Sequence, residues 1–284
     1  MKIIFMGTPA FGAIVLEGLI KSGHKPFLVV TEPDKPVGRK QIVTPPPVKV
    51  LAEKYHIPVV QPEKISDCAA EIERLKPSLI IIASFGQIIP ENILKTPPYG
   101  CLNVHPSLLP KYRGPSPIQS AILNGDKKTG ATIIRISEKL DAGPILLQKE
   151  TEIDPKETFE SLHDKLAEIG TKLLLEVLPK IPKGQAPYQP QEETEATYTK
   201  ILKKEDGEID WKKPSGVIER QIRAFNPWPG AYTVYQGKRL KVLKAEVSNS
   251  KLEIKEVQLE GKKPMSFKNF LRGHSDFEVR PPKI

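Results

Sequence analysis

The sequence predicts a doubly wound α/β domain, then a linker, then a small mostly-β domain. Apolar runs alternate with amphipathic stretches through the first half, which is the pattern of strands and helices on a parallel sheet. Residues 179–200 are rich in proline and then in polar side chains, a composition typical of linkers. Strand-like segments predominate beyond them. We therefore predict domains at 1–188 and 207–284, joined by a linker at 189–206.

Each predicted element follows from the spacing of its apolar residues. The predicted strands of the first domain lie at 2–6, 27–30, 59–60, 79–83, 101–105, 131–136 and 145–149. Its predicted helices lie at 10–22, 48–55, 68–75, 118–124 and 158–178. The second domain is expected to hold a helix at 215–224 and strands at 231–235, 240–247 and 252–259. The proline-rich stretch 32–47 has no apolar period and predicts a loop, long enough to be functional or mobile.

The composition is that of a globular protein, with 39% hydrophobic and 27% charged residues among 284. No window approaches the ~18 apolar residues of a membrane span, and the amino-terminal apolar run is too short for a signal peptide. Only two cysteines, Cys68 and Cys101, argue against a disulfide scaffold and against a cysteine-built metal site. Five scattered histidines give no metal-ligand spacing. These features predict a cytoplasmic protein without membrane contact.

The positive charge is concentrated at the carboxyl end. The chain carries a net charge of +9, yet residues 1–189 hold 24 basic against 20 acidic side chains. Residues 209–284 hold 16 basic against 8 acidic. A short basic unit on a near-neutral body favours a polyanionic partner, with nucleic acid first, although ordinary solubility explains the same count.

Asn103 and His105 are the sharpest candidates for chemistry. Residues two apart on a strand point to the same face, and both lie at the carboxyl end of a predicted central strand, where open α/β sheets place their sites. An amide beside an imidazole suits stabilising an oxyanion and moving a proton. A hydrogen-bonded core pair is the alternative. Cys101 shares this face, but about 13 Å of strand separates it from His105, which excludes a nucleophile–base pair.

Asp141 lies in a turn between two predicted strands, in the run Leu-Asp-Ala-Gly-Pro at 140–144. Such a turn places a carboxylate near His105 at the end of the sheet, although aspartate is also an ordinary turn residue. The glycines at 7 and 12 fit neither a Gly-x-Gly-x-x-Gly fingerprint nor a phosphate-binding loop, so no dinucleotide or ATP site is expected there.

Taken together, these residues resemble the folate-dependent formyltransferase superfamily. Asn103 and His105 are followed by a Pro-Ser-Leu-Leu-Pro run at 106–110, and Asp141 and Gly143 follow downstream. This combination is similar to the Asn–His–Asp set and the Ser-Leu-Leu-Pro segment of that superfamily. The resemblance implies a Rossmann-like first domain.

Further motifs resemble the branch of the superfamily that formylates methionyl initiator tRNA. They are the runs at 3–9, 33–39, 209–211, 223–230 and 261–266, so the resemblance covers nearly the whole chain. It implies an OB-like barrel for the second domain. The stretch before the closing Lys-Pro-Met-Ser run is short for this branch, so the barrel is expected to be shortened.

The resemblance implies transfer of the formyl group of 10-formyltetrahydrofolate to the amino group of methionine on initiator tRNA. Asn103 and His105 would stabilise the tetrahedral oxyanion, while Asp141 would orient His105 and assist proton removal from the amine. No metal and no obligate protein partner are implied. Two alternatives stay open from the sequence: a formyltransferase for sugar-nucleotide amines, and a non-catalytic RNA-binding protein on the same scaffold.

Two sets of binding residues are expected, the folate contacts from the resemblance and the tRNA contacts from the basic side chains of the 34–49 loop and of the second domain. The expected folate contacts are Phe85, Gly86, Gln87, Ile88, Ile89, Ser107, Leu108, Leu109 and Pro110. The expected tRNA contacts are Arg39, Lys40, Lys49, Lys212, Lys213, Arg220, Arg223, Lys238, Arg239, Lys241 and Lys244.

Overall fold

The computed structural model describes residues 1–38 and 40–277. The chain divides into two compact units. The first contains Met1–Gly114, Gly130–Thr151 and His163–Tyr198. The second contains Pro115–Thr129, Glu152–Leu162 and the chain from Thr199 on. The domain boundaries after residues 188 and 206 stay a prediction.

The first half of the chain builds a seven-stranded sheet in the order β5-β2-β1-β6-β7-β8-β9. The strands up to β9 are β1 Ile3–Gly7, β2 Leu28–Val30, β3 Lys35–Val37, β4 Ile42–Thr44, β5 Val59–Val60, β6 Leu79–Ala83, β7 Cys101–His105, β8 Lys128–Arg135 and β9 Ile145–Glu152. Neighbours from β5 through β7 run parallel, and β8 is antiparallel to β7. The predicted mostly parallel sheet is confirmed.

Helices connect these strands. They are α1 Ala10–Lys21, α2 Pro47–Lys54, α3 Ala69–Leu75, α4 Glu91–Lys95, α5 Pro117–Asn124 and α6 Phe159–Val177. All five residues of β1 and all five of β6 are buried, which is the pattern of central strands in a sheet covered on both faces. These buried strands fix the position of β7, which pairs with β6 and carries two of the candidate site residues.

The stretch 32–47 differs from the predicted loop. It contains the hairpin β3–β4, in which Lys35 pairs with Thr44, Pro36 with Val43 and Val37 with Ile42. All six residues are exposed, so no buried face gives the hairpin the alternating pattern by which strands are recognised. A proline within a short run also argues against a strand, and Pro36 is tolerated here because the hairpin has only two strands.

The second unit contains a four-stranded antiparallel sheet in the order β10-β11-β12-β13. Its elements are α7 Ser215–Phe225, β10 Tyr232–Tyr235, β11 Lys238–Ser248, β12 Lys251–Leu259, β13 Met265–Ser266 and α8 Phe267–Gly273. One core cluster joins the sheet to α7 and α8 through Ile222, Val242 and Phe270, among others. The mostly-β prediction is confirmed, while α4, β13 and α8 are elements that the apolar spacing did not predict.

Candidate active site

The carboxyl end of β7 presents two candidate side chains on one face. Asn103 pairs with Ile82 of β6 and Ile134 of β8, and His105 pairs with Thr132 of β8. Asn103 is half-buried, whereas His105 is only 4% exposed. The strand is held by a neighbour on each side, so the spacing between these two side chains is set by a rigid element.

Asp141 lies beside both of them. Its Oδ1 lies 3.4 Å from Asn103 Nδ2, and its Oδ2 lies 3.6 Å from His105 Nδ1. The residue has a positive φ of 47°, a conformation that non-glycine residues rarely adopt and that aspartate accommodates better than most. The turn predicted from the sequence therefore brings its carboxylate to the end of β7. The catalytic roles of the three residues stay a prediction.

The ring of His105 is held from its other side by main chain. Nε2 lies 2.9 Å from the carbonyl oxygen of Tyr112. A carbonyl only accepts, so Nε2 carries a proton and Nδ1 is the ring nitrogen that faces Asp141. Backbone groups such as this carbonyl leave no signal in a sequence.

A backbone amide orients the carboxylate of Asp141. The N–H of Gly114 donates to Oδ2 at 2.8 Å. Gly143 packs directly against the carbonyl oxygen of Arg135, where an added Cβ would lie only 1.8 Å away. The turn that carries Asp141 is therefore fixed by close backbone packing at Gly143 as well as by the hydrogen bond at its carboxylate.

The loop that follows His105 is anchored within itself and to β8. Ser107 is fully buried; its Oγ donates to Lys111 O at 2.7 Å, and its carbonyl accepts from Thr132 Oγ1 at 2.6 Å. Leu109 is 3% exposed, and its N–H donates to Thr132 Oγ1 at 3.3 Å. These contacts bind both residues to Thr132 of β8, and Ser107 also to Lys111 of the loop. Leu108 and Pro110 are half-buried.

The segment after β6 combines a buried ring with exposed backbone. Phe85 is 2% exposed, whereas Ile88 is 88% exposed and Gly86 is exposed with φ of 89°. The side chain of Gln87 is bound to the protein, because its Oε1 accepts a hydrogen bond from Ile65 N at 2.7 Å. In the described part of the chain, the N–H groups of Gln87 and Ile88 donate no hydrogen bond to the protein. Ile89, the last residue of this predicted set, is half-buried.

Some of the predicted tRNA contacts are exposed to solvent, whereas others are half-buried or bound to protein groups. The exposed ones are Lys40, Lys212, Lys213, Lys238 and Lys244. Lys49 binds Asp34 at 2.8 Å, and Lys241 is half-buried. Arg39 lies outside the described residues.

The predicted arginines of the second unit are held by protein groups. Arg223 forms an ion pair with Glu219, its Nε lying 2.5 Å from Oε1, and its Nη1 donates to the Glu157 carbonyl at 2.7 Å. Arg220 donates from Nε to Leu123 O at 3.0 Å. The guanidinium of Arg239 lies 4.7 Å from the centre of the Tyr232 ring. The lysines rather than these arginines are therefore presented to solvent.

Cys101 is a buried thiol of the sheet. It is 1% exposed, and burial raises the pKa of its thiol to about 12, so it stays protonated near neutrality. Within residues 1–38 and 40–277, no group of three or more His, Cys, Asp or Glu side chains is arranged to hold a metal ion. None of the helices described has the length and apolar character needed to cross a membrane.

Known proteins match the chain along its length. The formyl transferase family model matches residues 1–178, and the model of the formyl transferase C-terminal domain matches residues 201–253. A methionyl-tRNA formyltransferase of Halalkalibacterium halodurans is 47% identical over 301 residues, covering 96% of this chain and 95% of the relative.

Solved structures share the fold. A methionyl-tRNA formyltransferase of Clostridium thermocellum is 20% identical with a TM-score of 0.63, covering 91% of this chain and 98% of that one. HypX of Aquifex aeolicus, in complex with tetrahydrofolic acid, is 18% identical with a TM-score of 0.68 over 95% of this chain. The chain spans only 47% of that protein's length. By the family match over residues 1–178 and the 47% identity, the chain belongs to the formyl transferase family, in the branch of the methionyl-tRNA formyltransferases.

Proposed function

We propose that this protein transfers the formyl group of 10-formyltetrahydrofolate to the amino group of methionine on initiator tRNA. The observation that carries the proposal is the 47% identity to a methionyl-tRNA formyltransferase over 96% of the chain. The cluster of Asn103, His105 and Asp141 at the end of β7 supports it, because an amide, an imidazole and a carboxylate supply what acyl transfer to an amine requires.

In this proposal, the two side chains on β7 serve the reacting oxygen. The Asn103 amide and an N–H of His105 donate hydrogen bonds to the oxygen that gains negative charge. The Nε2 proton of His105 is bound to the Tyr112 carbonyl, so this carbonyl has to give way before Nε2 reaches a substrate. On the other side of the ring, Oδ2 of Asp141 lies 3.6 Å from Nδ1, so the carboxylate faces the imidazole.

In this proposal, the folate binds beside the carboxyl ends of β6 and β7. The co-substrate brings the formyl group, bonded to nitrogen, and a pterin ring whose edge carries donors and acceptors. The backbone of Gln87 and Ile88 offers N–H groups that no protein acceptor binds in the described residues. The 88% exposed side chain of Ile88 offers an apolar surface to the ring. The bound tetrahydrofolic acid of HypX agrees with this choice of ligand class.

The proposed tRNA contacts rest on the charge of the second unit. Lys212, Lys213, Lys238 and Lys244 are exposed cations suited to phosphate, whose attraction is long-ranged and needs no fixed geometry. We also propose that the protein acts in the cytoplasm, where its charged tRNA substrate is used.

The test is a formylation reaction with the full-length protein. Methionyl initiator tRNA and 10-formyltetrahydrofolate are incubated with the protein, and the formylated aminoacyl-tRNA is separated after acid quenching. We expect product in proportion to enzyme, and none without the folate. A protein that binds the tRNA but gives no product in a single turnover would instead be a non-catalytic RNA-binding protein.

A parallel reaction addresses the second alternative from the sequence. An amino-sugar nucleotide replaces the charged tRNA under the same conditions. Preferential formylation of the sugar amine would overturn the proposal, and the high identity to a methionyl-tRNA formyltransferase predicts the opposite preference.

A further inference from the structure

Gln191 makes four hydrogen bonds that join two loops of the candidate active site. Its Nε2 donates to the carbonyl oxygens of Asp141 and Gly143, each at 2.7 Å. Its Oε1 accepts from Nε of Arg113 at 3.1 Å and from Nη2 of the same residue at 3.0 Å. The residue lies in the stretch whose composition predicts a linker.

The orientation of the Gln191 amide is fixed by the chemistry of its partners. A guanidinium only donates and a carbonyl only accepts, so the amide oxygen must face Arg113 and the amide nitrogen must face the turn. Every hydrogen-bonding direction of the amide group is used. Glutamine therefore suits this position because its amide both donates and accepts. A side chain that only accepts, or only donates, would leave one set of partners unbound.

Arg113 gives Gln191 a rigid support. It is 1% exposed, and its Nη1 and Nη2 each donate to one carboxylate oxygen of Glu193 at 3.0 Å. Its own N–H donates to Thr197 O at 2.9 Å. A paired, forked guanidinium loses little further freedom when it also binds the glutamine. Arg113 also directly precedes Gly114, whose N–H binds the Asp141 carboxylate.

These contacts close a ring around Asp141. Gly114 holds the side chain of Asp141 and Gln191 holds its carbonyl, and the two holders are linked through Arg113. Resting on the proposed function, we propose that Gln191 is a positioning residue, which fixes the main chain of Asp141 so that its carboxylate faces Asn103 and His105. The need for a second anchor follows from the positive φ of 47° at Asp141, a conformation that the surrounding structure must maintain.

The decisive variant is Gln191→Glu, which keeps the shape of the side chain and its acceptor for Arg113. It removes both donors to the turn and places a carboxylate against two carbonyl oxygens. A role limited to binding Arg113 predicts equal or greater stability and full activity, because a carboxylate is the better partner for a guanidinium. A positioning role predicts a fall in kcat of about 10- to 100-fold, since displacement of a catalytic group by about 1 Å costs this much.

The experiment measures kcat and KM for charged tRNA and for folate in the wild-type protein and in Gln191→Glu. Glu195→Gln is the matched control, because Glu195 is an exposed residue of the same segment outside the ring of contacts. We expect kcat to fall in Gln191→Glu while both KM values stay within about threefold, and a cooperative thermal unfolding curve shows that the variant is folded. An unchanged kcat in Gln191→Glu overturns the proposal.

A double-mutant cycle separates positioning from general disturbance. If Gln191 acts through Asp141, Gln191→Glu lowers kcat little further once Asp141 is already replaced by asparagine. Independent, multiplying losses of kcat in the double variant would overturn the proposal. Failure of the wild-type protein to formylate any amine would count against the proposed function itself, and is distinguished from an active wild type with an equally active Gln191→Glu.

Discussion

The backbone N–H of Gly114 donates to Oδ2 of Asp141 at 2.8 Å, and this contact is shorter than the distances from Asp141 to Asn103 and His105, 3.4 and 3.6 Å. The main chain therefore makes the shortest of these contacts with the carboxylate, and the side chains of Asn103 and His105 lie farther from it. Its position depends on the loop after β7 as much as on its own turn.

Replacing Asp141 with asparagine tests the charge at this position. The amide oxygen can still accept from Gly114, so we expect the fold to be retained. The negative charge that faces Nδ1 of His105 at 3.6 Å is lost, and we expect turnover to fall by about 10²–10³-fold, the usual size of such losses. Asp67→Asn, at an exposed position, is the control. Equal losses are expected for Asn103→Ala and His105→Ala, and near-wild-type turnover of His105→Ala would contradict the assigned roles.

Gly143→Ala tests the packing of the turn. The new Cβ would lie 1.8 Å from the carbonyl oxygen of Arg135, so the backbone has to move. We expect a loss of about 1–3 kcal/mol or more in the free energy of unfolding, measured by urea denaturation, together with a loss of activity. Gly273→Ala is the control, because an added Cβ there meets nothing within 4 Å. Equal stability of the two variants would contradict the close approach.

The ion pair of Glu193 with Arg113 predicts a pH-dependent stability. Hydrogen bonds from Arg113 lower the pKa of the Glu193 carboxyl below its ordinary value. A carboxyl whose pKa is lower in the folded state stabilises the fold above its unfolded pKa of about 4.3, and this contribution disappears as the pH falls through the folded pKa. The wild type should therefore exceed Glu193→Gln in thermal midpoint at pH 7, with the difference shrinking below about pH 4.

The measurement is a series of thermal unfolding curves from pH 7 downwards for the wild type, Glu193→Gln and Glu195→Gln. The last variant is expected to match the wild type throughout, since Glu195 is exposed and lies outside the pair. A wild-type advantage over Glu193→Gln that stays constant with pH would show that the carboxylate charge is not what stabilises Arg113.

Cys101 is expected to be unreactive in the folded protein. Burial raises its pKa to about 12, so at pH 8 only about one thiol in 10⁴ is ionised, and the thiolate is the reactive form. A Cys68→Ser variant isolates this thiol, because the chain has only two cysteines. An aromatic disulfide reagent should release one equivalent of its aromatic thiolate per protein in urea, and essentially none with the folded protein. Rapid native release would show that Cys101 is accessible.

Exposed lysines of the second unit should set the salt dependence of tRNA binding. The double variant Lys212→Ala, Lys213→Ala removes two exposed cations, so the slope of log affinity against log salt should become shallower by about one to two. Lys183→Ala, an exposed lysine of the first unit, is the control. An unchanged slope in the double variant would place the tRNA elsewhere.

The apolar periods predicted the sheet well because its strands are buried. β1, β6 and β7 coincide with the strands predicted at 2–6, 79–83 and 101–105, and the period of two placed Asn103 and His105 on one face. The hairpin β3–β4 was not predicted, because its residues are exposed on both faces. Where burial does not select the side chains, the sequence carries little record of the strand.

The supports of the candidate site were beyond sequence reasoning for another reason. The Tyr112 carbonyl and the Gly114 N–H are main-chain groups, which every residue type supplies. Gln191 contacts Asp141 across 50 positions of chain, and no local pattern encodes such a distance. A polar linker composition concealed it further, because glutamine and glutamate are what a solvated linker also contains.

The buried guanidinium of Arg113 has a consequence for dividing this protein. A fragment ending at residue 188 would keep every residue of the Asn–His–Asp set, and would still lack both the glutamine and the carboxylate that surround Arg113. The guanidinium of Arg113, which is 1% exposed in the whole protein, would lose these hydrogen-bond partners, and such a loss is destabilising for a buried charged group. During synthesis, likewise, the hydrogen bonds of Arg113 are complete only after the chain has passed Tyr198. By then Asn103, His105 and Asp141 have long been made.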